Sequence, residues 1–195
     1  MNPILVAAAK FELDPLSGAL QERGHTPEVK LAGVGALNAA KKARALGEAC
    51  RGRHVIFVGT CGTFGHFTRP YLVRAHEVLW SPTSDRIGMS YTVRDTAPSL
   101  ALPEPPALAR TLPARLVLCS PTISLVSRLP DGFKAESAVE NLELYSCIGE
   151  IAASAASLAV ILAVTNAVGP DSHTQWRQHF TEAAGLTAEF IAKAF

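Results

Sequence analysis

Two hydrophobic rhythms alternate along this chain, short unbroken apolar runs and longer stretches in which apolar residues recur every three or four positions. Ile4-Leu5-Val6-Ala7-Ala8-Ala9 is a run of the first kind and predicts a buried strand. Glu12 then opens a helix, with Pro15 early and Leu13, Leu16 and Leu20 on one face, and Gly24 stops it. Val29 to Gly33 reads as a second strand. It ends in the glycine turn Gly33-Val34-Gly35-Ala36-Leu37-Asn38, which leads into an Ala-rich helix from Ala39 to Cys50. His54 to Val58 is a third strand, followed by a second glycine turn from Gly59 to Gly65.

Tyr71 to Leu79 alternates in character, as a strand exposed on one face does. From Pro82 to Pro113 the chain is rich in Pro, Ser and Asp, which predicts a long surface excursion with little regular structure. Arg115 to Ser120 is a further strand. Glu140 to Leu158 carries a helical pattern with Leu142, Tyr145, Ile148 and Ile151 in phase. Val160 to Thr165 is the last core strand, and His173 to Phe195 forms a terminal amphipathic helix or helix pair. Strands alternating with helices, and glycines at strand ends, predict a three-layer α/β/α sandwich around a mixed, mostly parallel sheet. One domain over residues 1–195 accommodates the pattern, without internal repeats.

Composition narrows the function classes. The chain is 48% hydrophobic and 18% charged, enough apolar material for a sizeable core. A net charge of +1 leaves no electrostatic footprint for nucleic acid or an anionic membrane. Cys50, Cys61, Cys119 and Cys147 are widely spaced, with no Cys-x-x-Cys pair, which predicts reduced, buried thiols rather than a metal site. The apolar run from Ile151 to Val164 is broken by Ser154 and Ser157 and is short for a bilayer span. A cytoplasmic protein without metal or organic cofactor is the expectation.

Ligands of open α/β sheets sit beyond the carboxyl ends of the strands. Glu12, Gly33 and Gly35, the Gly59–Gly65 segment and Asn166 all fall at such ends. A first-turn carboxylate is also favoured by the helix dipole alone, and Asn166 also suits a plain turn. Glu143 stands among Leu142, Leu144 and Tyr145, where a buried carboxylate needs a partner. The glycine turns lack the third glycine of a dinucleotide fingerprint, and no Gly-Lys-Ser/Thr phosphate loop is present.

In order, the segments ILVAAAKFELDPL, LAGVGALNAAKKARAL, FVGTCGTFG, VENLELYS and LAVTNAVGPDSHTQW resemble the signature segments of the nucleoside phosphorylase/nucleosidase superfamily. The resemblance runs from Ile4 to about Phe180, and VENLE with TNAVG is most similar to its futalosine hydrolase group, nucleosidases of the alternative menaquinone pathway. It implies hydrolysis of a purine N-glycosidic bond in a small nucleoside, by a homo-oligomer. Glu12 is then the general base for water, and Glu143 and Leu142 hold the ribose. The backbone of Thr60, Cys61 and Gly62 lines the site. Asn166 stands where adenine-specific relatives have an aspartate. Its amide suits a 6-oxopurine such as hypoxanthine, donating to N7 or O6 and accepting from N1–H. Phosphorylases of the superfamily bring an arginine after the first strand; only Lys10 is present here, so water is the expected nucleophile.

Overall fold

The computed structural model describes residues 3–93 and 99–194. The chain runs β1 (Ile4–Ala7), α1 (Lys10–Gln21), β2 (Glu28–Leu31), α2 (Ala36–Ala49), β3 (His54–Thr63) and β4 (Tyr71–Trp80). After these come α3 (Thr83–Arg86), β5 (Ser99–Ala101), α4 (Ala107–Arg110), β6 (Ala114–Cys119) and β7 (Ala138–Asn141). The C-terminal third is α5 (Leu144–Ser154), β8 (Ser157–Ala167) and α6 (Ser172–Ile191).

Central strands alternate between two apolar faces, which explains their unbroken hydrophobic sequences. Val55 and Phe57 of β3 and Leu158, Val160 and Leu162 of β8 join α2 and α5 in one core. Ile56 and Val58, with Ala159 and Ile161, join Leu13, Leu16 and Leu20 of α1 and Ile191 of α6 in another. The helix pairs α2/α5 and α1/α6 therefore form the outer layers of the expected sandwich. Each fully buried leucine or isoleucine contributes about 1.5–3 kcal/mol.

The sheet order is β2-β1-β3-β7-β6-β4-β5, and β8 bonds both β3 and β4. Strands β3, β7, β6, β4 and β8 thereby close on themselves, and β1 and β2 extend from β3. Pairs β1–β2, β1–β3, β3–β8, β4–β6 and β6–β7 are parallel; β3–β7, β4–β5 and β4–β8 are antiparallel.

Several expected boundaries move. The first helix opens at Lys10 rather than Glu12, which places the carboxylate in its first turn. Gly59 and Gly62 form no turn: β3 runs on to Thr63, paired throughout with β8. Glu140 and Asn141 do not begin a helix but end β7, because β3 and β6 take up their backbone bonds. Ser157 and Leu158 open β8 rather than closing a helix. The expected excursion holds short elements of its own, α3, β5 and α4; its residues 94–98, like Phe195, lie outside the described residues. The terminal segment is a single helix followed by one 3₁₀ turn. All four cysteines are unpaired and buried.

Candidate active site

A cleft of about 310 Å³ opens at the carboxyl ends of β1, β3 and β8. Glu12, Thr60, Cys61, Gly62, Leu142, Glu143 and Asn166, singled out from the sequence, all line it.

Glu12 sits where α1 leaves β1. Its Oε2 accepts hydrogen bonds from the backbone N–H groups of Ala8 (3.1 Å) and Ala9 (3.2 Å), and its Oε1 accepts from Thr60 N–H (3.2 Å). The carboxylate thus fills the empty donors at the start of α1, as a capping-box acid does, and grips β3 as well. Burial pushes its pKa up to about 7, Glu143 raises it further by charge repulsion, and the three N–H groups pull the other way. A carboxylate balanced near neutrality, open to a cleft, is suited to take and return a proton.

Glu143 is 6% exposed, and its Oε1 accepts from Gly35 N–H at 2.8 Å. Gly35 caps α2 with φ of +82°, a backbone shape that only glycine adopts without strain. Burial raises the Glu143 pKa, and the Gly35 N–H restrains it. Asn141 fixes the neighbourhood: its Oδ1 accepts from Glu143 and Leu144 N–H groups (2.9 Å each), capping α5, and its Nδ2 donates to Thr60 C=O at 3.1 Å. The strands β1, β3 and β7 and three helix starts, those of α1, α2 and α5, are locked together by this one amide and the two carboxylates.

At the opposite wall the β3–β8 register slips: Cys61 pairs with Val164 but Gly62 pairs with Asn166, so Thr165 is an extra residue. Such a bulge re-aims the next side chain. Asn166 is 8% exposed; its Oδ1 accepts from Thr165 Oγ1 (2.9 Å) and its Nδ2 donates to Ala167 C=O (2.9 Å). Gly62 makes room for it, since a methyl there would lie 2.8 Å from Asn166 Nδ2. Burial pushes the Cys61 thiol well above its usual range, so it supplies no thiolate.

Other lining residues were not singled out. Trp176, the last residue of the LAVTNAVGPDSHTQW segment, donates its Nε1–H to Thr60 Oγ1 at 3.2 Å. It stacks on His173 (centroids 5.7 Å apart) and meets Phe11 edge-on at 6.1 Å. These rings, with Val34 and Ile123, give the cleft an apolar end. Glu140 also lines it, but is held behind the wall by Arg86 Nη2 at 2.9 Å and by Ser124. No signal in the sequence joins positions so far apart. Among the described residues no lysine or arginine lines the cleft, and Lys10 is exposed. Among the described residues, no group of three or more His, Cys, Asp or Glu is placed to hold a metal ion, and no helix is long and apolar enough to cross a membrane.

The fold is shared with solved nucleosidase structures. Solved structures with that fold include a methylthioadenosine/S-adenosylhomocysteine nucleosidase of Streptococcus pneumoniae in complex with 8-aminoadenine. It is 14% identical, with a TM-score of 0.73 over 98% of this chain and 97% of that one. A Helicobacter pylori methylthioadenosine nucleosidase mutant, with 5′-methylthioadenosine in its active site, matches at 15% identity and TM-score 0.70, over 98% and 96%. The native futalosine hydrolase of Helicobacter pylori strain 26695 matches at 13% identity and TM-score 0.65, over 97% and 95%. No protein-family model and no curated protein matches the sequence.

Proposed function

We propose that this protein is a cytoplasmic, homo-oligomeric purine nucleosidase that hydrolyses futalosine to free hypoxanthine, in menaquinone biosynthesis. The observation that carries the reading is the convergence of Glu12, Glu143 and Asn166 on one cleft. Breaking the bond from ribose C1′ to the base nitrogen leaves a cationic sugar and sends the electron pair into the purine. Glu12 takes a proton from the attacking water as the new C1′–O bond forms. Glu143 accepts hydrogen bonds from the ribose hydroxyls, setting negative charge beside the cationic ring, and Leu142 packs under the sugar. The Asn166 amide hydrogen-bonds the departing 6-oxopurine anion, which takes a proton from solvent as it is released, while Glu12 returns its own proton to solvent. The apolar end around Phe11 and Trp176 suits a substituent beyond the ribose. Water rather than phosphate is the nucleophile in this reading, supported by Lys10 standing where phosphorylases bring an arginine and by a lining without lysine or arginine among the described residues.

Cleavage of methylthioadenosine or S-adenosylhomocysteine is the second reading, since solved structures of like fold include nucleosidases named for those substrates. One assay separates the two. The protein is incubated with futalosine, inosine and methylthioadenosine, with and without phosphate, and free base is measured. Hypoxanthine from futalosine without phosphate is expected; adenine alone selects the second reading, and a phosphate requirement refutes hydrolysis. Asn166→Asp shifts preference towards 6-aminopurine nucleosides, and an unchanged preference refutes the role given to Asn166.

A further inference from the structure

Ser172 opens α6, five residues past the end of β8, and it lines the cleft while being 5% exposed. Its hydroxyl is enclosed and has no hydrogen-bond partner among the described residues. Leaving such a group unpaired carries the full penalty of its desolvation. The first turn of α6 is not loose. Gln175 Oε1 accepts from Ala167 N–H at 2.8 Å, and Trp176 reaches Thr60 at 3.2 Å. The helix start is therefore tied to the same strand end that carries Asn166.

Asn166 has little capacity left. One Nδ2–H is spent on Ala167 C=O and one Oδ1 lone pair on Thr165. A 6-oxopurine presents two adjacent acceptors, N7 and O6, and the remaining amide N–H satisfies one of them. A serine hydroxyl both donates and accepts, and it turns between staggered χ1 positions. We infer that Ser172 is a second hydrogen-bonding group for the nucleobase, acting with Asn166 in the same cleft. The inference rests on the nucleosidase reading for the identity of the base. On this view the unpaired hydroxyl is the free-state cost of a contact completed by ligand.

Titration calorimetry of hypoxanthine and adenine into the wild-type protein and Ser172→Ala tests this, with thermal melting of both proteins. Hypoxanthine is expected to bind wild type and to lose about 5- to 20-fold in affinity in the variant, with Tm unchanged or raised. Equal affinity overturns the inference, as does a loss of affinity accompanied by a lower Tm, which marks a structural role. Absence of base binding to wild type overturns it too. Release of hypoxanthine from futalosine is measured separately. Release together with equal affinities removes Ser172 and leaves the nucleosidase reading standing. No release together with weakened binding to the variant removes that reading and keeps the Ser172 contact.

Discussion

Glu12 makes the sharpest test of the chemistry, because burial holds its pKa near 7 rather than at the ordinary 4.5. As a general base it works only when ionised, and the pH dependence of kcat/KM reports the free enzyme. A group with that pKa is about 1% ionised at pH 5 and about 90% at pH 8, so kcat/KM is expected to rise roughly 100-fold between them. Removing the neighbouring charge with Glu143→Gln, which lowers the rate in its own right, moves this acid limb to lower pH, since Glu143 contributes to the shift. Stability responds in the opposite sense. A carboxyl whose folded pKa exceeds its unfolded value binds its proton more tightly when folded. Its contribution is fully present below pH 4.5 and is lost as pH rises to about 7. At about 1.4 kcal/mol per pH unit the loss is at most about 3 kcal/mol, less in practice because Glu12 is only partly enclosed. Initial rates across pH 5 to 9, with urea unfolding at each pH, measure both effects. An acid limb near 4.5, or the same unfolding slope in Glu12→Gln as in wild type, refutes the argument from burial.

Two further substitutions probe the walls of the cleft. Gly62→Ala puts a methyl 2.8 Å from Asn166 Nδ2 and 3.1 Å from Val168 Cγ2. The flexible amide yields first, so discrimination between inosine and adenosine should collapse while stability falls by no more than about 2 kcal/mol; intact discrimination refutes this. Arg86→Met leaves Glu140 buried without its cation and should cost about 3–5 kcal/mol in urea unfolding, part of it recovered by adding Glu140→Gln. A loss below about 1 kcal/mol refutes the view that the pair neutralises that wall.

Much of this site was legible because the chemistry sits on strand ends that local patterns reveal. Ile4 to Ala9 and Val160 to Thr165 could only be buried strands, and each delivers its functional residue, Glu12 or Asn166, just beyond or at its end. The glycines misled. Gly59 and Gly62 signal a turn locally, yet they sit within β3 because it pairs with β8, and at Gly62 the Asn166 amide leaves no room for a side chain. Glu140 and Asn141 continue a helical pattern, but pairing with strands more than seventy and twenty residues away makes them strand. Phe11, Ser172 and Trp176 fall inside segments that carry the resemblance, but no local pattern marks them as lining residues, since a helix face reads the same whether it meets a core or a cleft.

The closed ring of strands has a consequence for how the molecule comes into being. β8 is the last strand of the chain to be made, yet it lies between β3 and β4, with His54 meeting Ser157 across 103 positions of sequence. Until it inserts, two long strands keep open edges, a hazard of association with other chains during synthesis. Contacts of such sequence separation also slow folding. Asn166 travels on this closing strand, and the helix bearing Ser172 and Trp176 follows it. The wall of the cleft that carries Asn166 is therefore built in the step that seals the fold, and a chain that lacks β8 lacks that wall.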